Sequence, residues 1–140
     1  MLYVNTKKAL ISLSILLLLA NPSSGETNIP HPVKVGDPFP SFTLPNNLSA
    51  ADIKALRLPV QKTISLENIP SEMILIELLN VYCHTCQLQV PMFNQLLESL
   101  QSDKTLGPKV ALLGITVGNN AHEVEKFKRS FEVQYPILAD

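Results

Sequence analysis

The sequence has no surplus of charge of either sign. Its 140 residues include 11 lysines and arginines and 12 aspartates and glutamates, which gives a formal net charge of −1. The basic residues are scattered and form no stripe interleaved with aromatics, so a nucleic-acid-binding surface is excluded. Because 46% of the residues are hydrophobic, the chain is not predicted to be disordered. Its length predicts a single domain.

Cysteine and histidine, the usual ligands of zinc and haem iron in proteins, are also scarce. The chain contains two cysteines, Cys83 and Cys86, and three histidines. A structural zinc site normally takes four ligands, and the sequence has neither a second C-x-x-C pair nor two histidines at a ligand spacing. A c-type haem needs C-x-x-C-H, whereas Gln87 follows the second cysteine. The sequence therefore predicts no metal and no organic cofactor.

No apolar run reaches the length that crosses a bilayer comfortably, which is about 20 residues. The longest run covers residues 9–20, follows Lys7 and Lys8, and is itself followed by small residues. This order is typical of a secretory signal. We therefore predict a signal peptide, or an uncleaved anchor, at residues 1–25 and a linker at residues 26–34. A periplasmic or otherwise extracytoplasmic location follows, where disulfides can form.

Beyond the linker, strand-like and helix-like segments alternate. Residues 73–79 and 109–118 are apolar at almost every position and predict strands buried on both faces. Between them an amphipathic helix is predicted, because apolar side chains recur every four residues along one face. These side chains are Leu88, Met92, Leu96 and Leu100, with Phe93 and Leu97 alongside. Asn120 predicts the start of a second helix, and residues 135–140 predict a further strand. The alternation predicts an α/β fold.

The two cysteines lie where the first of these strands passes into the first helix. Cys83 would stand at the helix N-terminus, where free backbone N–H groups and the helix dipole stabilise an anion. In such positions the thiol pKa falls from about 8.5 to between about 3.5 and 7.5. Cys86, one turn further on, could then attack a mixed disulfide and release the product. We therefore predict thiol–disulfide chemistry with Cys83 attacking and Cys86 resolving, and a passive disulfide is the alternative.

His84 and Thr85 separate the two cysteines. A protonated imidazole beside Cys83 would stabilise the thiolate and make the disulfide more oxidising. An imidazole that projects into solvent would do neither, and the sequence leaves both interpretations open. Under the first interpretation His84 and Thr85 tune the redox potential of the pair.

From residue 35 to residue 140 the chain resembles thioredoxin-fold proteins of the exported TlpA/ResA-like, or redoxin, group. The opening "VGDPFPSFTLPN" is similar to the group's V-G-x-x-x-P-x-F-x-L. "ILIELLNVYCHTCQLQVPMFNQL" is similar to its strand–CxxC–helix core, with Tyr82 where the group often has tryptophan. "KVALLGITVG" and "YPILAD" match its next strand and turn. The resemblance implies a thiol–disulfide oxidoreductase that acts on the cysteines of other proteins. Its redox partner would be another thiol protein, either a free one or a membrane-bound electron donor.

The resemblance also implies roles for two residues outside the C-x-x-C pair. Glu77 stands six positions before Cys83, where thioredoxins place a buried acid that moves a proton to or from the second sulfur. A carboxyl there would have its pKa raised by burial, whereas a carboxyl at a solvated edge would not. Pro91 matches the proline that kinks the group's active-site helix, so its implied role is structural.

The resemblance is incomplete towards the C-terminal end. Thioredoxin-like proteins carry a cis-proline on a later strand and close the sheet with a hairpin and a last helix, and residues up to Asp140 supply none of these. We therefore expect a partial thioredoxin-like domain at residues 35–140, with its activity in question. A non-catalytic remnant or interaction module of the fold is one alternative to an enzyme.

A peroxiredoxin-like peroxidase is the other alternative, because peroxiredoxins share the opening motif. Their peroxidatic pattern is P-x-x-x-T/S-x-x-C. Counting back from Cys83 places Asn80 at the hydroxyl position and Ile76 at the proline position. Counting back from Cys86 places Cys83 and Leu79 there. Both registers fail, so thiol–disulfide exchange is the preferred prediction.

Overall fold

The computed structural model describes residues 32–140. The chain divides into two units, Met1–Pro38 and Phe39–Asp140. The predicted signal peptide and most of the predicted linker lie outside the described residues. The described part of the first unit forms a turn in which the Asp37 amide donates to the Lys34 carbonyl at 3.0 Å.

The second unit alternates strands and helices, as the sequence predicts. Its elements are β1 (Thr43–Pro45), α1 (Ala50–Ala55), β2 (Thr63–Ser65), β3 (Met73–Leu79), α2 (His84–Ser102), β4 (Val110–Thr116), α3 (Ala121–Ser130) and β5 (Ile137–Leu138). Strands β1 and β2 pair antiparallel, and β3, β4 and β5 form a parallel sheet in that order. The α/β prediction is therefore confirmed.

Strand β4 is the centre of the fold and is buried on both faces. Since side chains alternate along a strand, its odd-numbered and even-numbered residues belong to different apolar clusters. Ala111, Leu113 and Ile115 pack with residues from β1, β2 and α1. Leu112 packs on the opposite face with α2 and α3. The parallel sheet is thus covered on both sides, as parallel sheets are.

Strand β3 and helix α2 differ from their predicted burial. The prediction of burial on both faces is wrong for β3, which lies at an edge of the described sheet and leaves Leu78 69% exposed. The predicted apolar face of α2 is wrong in its first half, because Leu88 and Met92 are 67% and 54% exposed. Phe93, which the sequence places beside this face, does pack against the core, together with Val90. A four-residue repeat drifts around a helix of 3.6 residues per turn, so it cannot by itself identify the buried side.

The helix starts follow local hydrogen bonding. Ser49 caps α1 and Asn120 caps α3, each in a capping box with the acidic residue three positions later. Cys83 caps α2 through its sulfur rather than through an oxygen. Among residues 32–140, no helix combines the length and apolar character that a membrane crossing requires.

Candidate functional site

Cys83 occupies the N-cap position of α2, as predicted. Its Sγ accepts a hydrogen bond from the Cys86 amide at 3.4 Å, and its own amide donates to the Asn80 carbonyl at 2.9 Å. The pKa of the Cys83 thiol is lowered, first by a hydrogen bond from the Cys86 thiol and then by the backbone amides of Cys86 and Thr85. The amides at the start of the helix therefore favour the thiolate.

Cys86 lies one turn further into α2 and is chemically different. It is half-buried and packs against the apolar cluster beneath the helix. Burial raises the pKa of its thiol, and the hydrogen bond to Cys83 and the charges of Cys83 and Glu77 raise it further. Both cysteines are free thiols. The pair therefore consists of two partly exposed thiols, Cys83 with a lowered pKa and Cys86 with a raised one.

Amide side chains fix the junction between β3 and α2. Asn119 Oδ1 accepts from the Val81 amide at 3.0 Å, and Gln87 Nε2 donates to the Val81 carbonyl at 2.9 Å. Asn80 Nδ2 donates to the Val117 carbonyl at 2.9 Å. The loop before Cys83 is thus tied both to its own helix and to the loop after β4. Sequence reasoning missed Asn119, whose partner lies 38 positions away.

Glu77 lies on β3 and is buried, although β3 is an edge strand. Glu77 is 7% exposed. It lies on the same face of β3 as Leu75 and Leu79, which pack in the apolar cluster beneath α2. Oε2 accepts a hydrogen bond from the Tyr135 hydroxyl at 2.7 Å, whereas Oε1 has no partner among the described residues. Burial raises the pKa of the carboxyl, and the bond from Tyr135 opposes that rise. The alternative of a solvated edge carboxylate does not fit this burial.

Tyr135 is the second site residue that sequence reasoning missed. Its side chain is fully buried, and its ring centroid lies 5.7 Å from that of Phe93 on α2. Burial raises the pKa of its hydroxyl, and the Glu77 carboxylate raises it further. The sequence gives one signal for this role, which is a tyrosine rather than a phenylalanine in an otherwise apolar segment.

Tyr82 lies beside the cysteines on the surface. It is 71% exposed, and its hydroxyl donates to Glu123 Oε1 at 2.6 Å. The two side chains border a cleft of about 290 Å³ whose other walls include His122 and Phe131. Val81 and Gln87, which flank the C-x-x-C pair in the sequence, also line this cleft.

The remaining predicted residues lie on the exposed side of α2. The side chains of His84 and Thr85 are exposed in its first turn. The hydrogen bonds that lower the pKa of Cys83 come from backbone and from Cys86, and the imidazole supplies none of them. Pro91 lies inside the helix, which continues to Ser102. Its implied role in shaping the helix stays a prediction.

In this site a parallel strand, β3, leads through a short loop to a C-x-x-C pair at the N-terminus of helix α2. The AhpC/TSA family matches residues 35–140, and the chain belongs to this family. No curated protein matches the chain.

Two solved structures share the thioredoxin-like fold. One is a proposed protein disulfide isomerase from Bacteroides thetaiotaomicron, with a TM-score of 0.57, 22% identity, and coverage of 77% of this chain and 58% of that one. The other is a proposed thiol:disulfide interchange protein DsbE from Chlorobium tepidum, with a TM-score of 0.52, 13% identity, and coverage of 72% and 59%. The chain therefore spans less than two thirds of the length of either structure.

Proposed function

We propose that the protein is a thiol–disulfide oxidoreductase that exchanges electrons with the cysteines of other proteins outside the cytoplasm. The observation that carries this proposal is the difference between the two thiols. Cys83 accepts hydrogen bonds that lower its pKa, whereas burial raises the pKa of Cys86. Both structurally similar proteins are named for disulfide chemistry, which supports the same class of reaction.

The reaction begins at Cys83, because the thiolate and not the thiol is the nucleophile. Its Sγ attacks one sulfur of a client disulfide, so that a new S–S bond forms and the client S–S bond breaks. The second client sulfur leaves as a thiolate and takes a proton from solvent. Cys83 is partly exposed, which leaves its sulfur within reach of a client chain.

Cys86 resolves the mixed disulfide in the second step. Its raised pKa makes loss of its proton unfavourable unless a base is near. Ionised Glu77 takes that proton, and the Cys86 thiolate attacks Cys83 Sγ. The mixed disulfide breaks and the client leaves with both sulfurs reduced. The client has gained two electrons, and the protein now holds a Cys83–Cys86 disulfide.

A second thiol protein must return the two electrons, and the whole cycle runs in either direction according to the relative reduction potentials. We propose an extracytoplasmic location from the signal-like pattern of residues 1–25. A membrane-bound thiol protein is a suitable donor in that compartment. His84 and Thr85, adjacent to the attacking sulfur, are proposed to tune the potential of the pair.

Reduction of insulin by dithiothreitol tests the proposal with the full chain. The wild-type protein should accelerate precipitation of the insulin B chain, and Cys83→Ser should abolish the acceleration. Cys86→Ser should stop after the first step and accumulate a mixed disulfide that mass spectrometry detects. A reduced wild-type protein that gives no acceleration would contradict the proposal and support a non-catalytic module of the fold.

The pH dependence of alkylation tests the asymmetry of the thiols directly. Cys86→Ala removes the thiol that donates to Cys83, so the iodoacetamide profile of Cys83 should shift to higher pH. Cys86→Ser keeps an O–H donor and should shift the profile less. The idea of a stabilised nucleophile is wrong if Cys83 ionises near the ordinary thiol pKa of about 8.5 in all three proteins.

A peroxidase is the second candidate, and membership of the AhpC/TSA family is the observation that favours it. The sequence places no threonine, serine or proline at the positions of the peroxidatic pattern in either register. Hydrogen peroxide as the oxidant distinguishes the two functions. A peroxidase would consume it with Cys83 as the oxidised residue, whereas the oxidoreductase should prefer disulfides by several orders of magnitude.

A further inference from the structure

The hydrogen bond between Glu77 and Tyr135 crosses the central strand of the sheet. Glu77 on β3 is in register with Gly114 on β4, and Gly114 is in register with Ile137 on β5. A Cβ atom at Gly114 would lie 3.3 Å from Tyr135 Cε2 and 2.9 Å from Ile137 Cγ1. The missing side chain at Gly114 therefore makes the space in which the tyrosine ring reaches Glu77.

The Tyr135 ring also packs against helix α2. Its ring is inclined by 48° to the Phe93 ring on α2, at a centroid distance of 5.7 Å. A buried tyrosine hydroxyl needs a hydrogen-bond partner, and Glu77 Oε2 is that partner at 2.7 Å. The contact therefore depends on β4, α2 and the segment before β5 together.

This bond makes the two oxygens of Glu77 different. Oε2 accepts from Tyr135, and Oε1 is buried without a partner among residues 32–140. The charge of Glu77 acts on the thiol of Cys86 and raises its pKa. The hydroxyl of Tyr135 stays protonated, because burial and the neighbouring carboxylate both raise its pKa. Tyr135 is thus a permanent donor that does not itself exchange a proton.

We propose that Tyr135 is a positioning residue for Glu77, which it orients through Oε2 so that Oε1 is the oxygen that takes the proton of Cys86. This inference rests on the proposed function, since it concerns the proton transfer in its second step. It predicts that loss of the hydroxyl slows resolution by Cys86 and leaves attack by Cys83 unchanged.

A disulfide with a coloured leaving group separates the two steps in one experiment. Reduced full-length protein is mixed with one equivalent of 5,5′-dithiobis(2-nitrobenzoic acid). Attack by Cys83 releases the first nitrothiobenzoate, and attack by Cys86 on Cys83 Sγ releases the second. Two electrons pass from the thiol pair to the reagent, so the two release rates report the two steps.

The variants are Tyr135→Phe, Glu77→Gln and Thr116→Val. At pH 7, Glu77→Gln should slow the second release about 100-fold, the lower end of the usual contribution of a general base. Tyr135→Phe should slow it about tenfold, because the carboxyl remains but loses its orientation. It should also move the pH dependence of the second release to higher pH, since the lost hydrogen bond favoured the ionised carboxyl.

Thr116→Val is the matched control. Thr116 is fully buried and donates its hydroxyl to the Leu138 carbonyl at 3.3 Å, so the variant also removes a buried hydroxyl bond from the same sheet. Both release rates should equal those of the wild type. The inference is overturned if Tyr135→Phe leaves the second release unchanged, slows both releases equally, or slows the second no more than Thr116→Val does.

The outcomes also separate this inference from the proposed function. If insulin is not reduced but the second release depends on Tyr135 as stated, the proposal that protein disulfides are the substrates is wrong, and the positioning role of Tyr135 stands. If insulin turnover is normal and Tyr135→Phe matches the wild type, the positioning role fails alone. Should Tyr135→Phe not fold, a carbon-13 titration of the wild type decides. Because the Tyr135 hydroxyl stays protonated, its Cζ shift should change only as Glu77 ionises, with the same midpoint as Glu77 Cδ. A Cζ shift that does not follow the ionisation of Glu77 overturns the inference.

Discussion

The Glu77 carboxyl is costly to bury when it is ionised. One of its oxygens has no partner among the described residues, and burial raises its pKa above the ordinary glutamate value of about 4.3. Between that value and the raised one, the folded state binds more protons than the unfolded state does. The free energy of unfolding therefore falls as pH rises through this interval, and the stability present below it is lost above it.

Glu77→Gln should consequently make the reduced protein more stable at pH 8. The neutral amide avoids the cost of burying a charge while its oxygen still accepts from Tyr135. Its NH2 group takes the unpartnered position of Oε1, so the net gain should be no more than about 1–3 kcal/mol. The advantage should shrink as the pH falls towards 4. Urea unfolding at a series of pH values measures it, with exposed Glu98→Gln on α2 as the control. A Glu77→Gln protein that is less stable than the wild type at pH 8 contradicts the expectation.

The sequence identified some residues of the candidate site and missed others for a physical reason. Cys83 and Cys86 lie three positions apart in one turn of helix, so their spacing alone predicts that they meet. The partner of Glu77 is 58 positions away, and only the completed sheet brings the Tyr135 hydroxyl to it. Local pattern therefore predicts the thiols, whereas the environment that sets the Glu77 pKa depends on tertiary packing.

At the scale of elements, patterns of hydrophobicity predict where strands lie better than how they are buried. The apolar run at residues 73–79 became β3 with the same bounds, and the run at residues 109–118 contains β4. The two runs look alike in sequence, but β4 has a strand on either side and β3 has one in the described sheet. The burial of a strand therefore depends on how many strands pair with it, and the sequence of one segment does not contain that information.

Gly114 gives a prediction that belongs to β4 as an element. Gly114→Ala should destabilise the protein by about 1–3 kcal/mol, because a Cβ atom would lie 2.9 Å from Ile137 Cγ1 and 3.1 Å from Leu79 Cδ2 in a packed core. It should also slow the second nitrothiobenzoate release, since relief of the crowding moves Tyr135. Urea unfolding and the release assay measure the two effects.

Gly118→Ala is the control for this substitution. A Cβ atom at Gly118 meets nothing within 4 Å, so the variant has only the cost of a left-handed backbone, about 1–2 kcal/mol. The second release should keep its wild-type rate. The packing explanation is wrong if both glycine variants slow that release, or if neither does.

At the scale of the whole folded unit, two apolar clusters lie on opposite faces of the parallel sheet and are tied together beside β5. Asn47 Nδ2 donates to the Ile137 carbonyl at 3.1 Å, and Asn47 Oδ1 accepts from the Ala139 amide at 2.9 Å. The side-chain amide thus satisfies the outer edge of β5 as a neighbouring strand would. Close by, Lys128 of α3 donates to both oxygens of Asp52 of α1, at 3.0 and 2.8 Å.

Lys128→Met tests whether this ion pair holds the layers together. Removal of one partner leaves the Asp52 carboxylate, which is 9% exposed, without its counter-ion. The loss should be about 2–3 kcal/mol, below the 3–5 kcal/mol of fully buried pairs, because Ser49 still donates to Asp52. Arg129→Met breaks only the exposed pair with Glu125 and should cost about 0.5 kcal/mol or less. Urea unfolding compares the two variants, and equal losses would mean that the buried pair contributes no more than a surface contact.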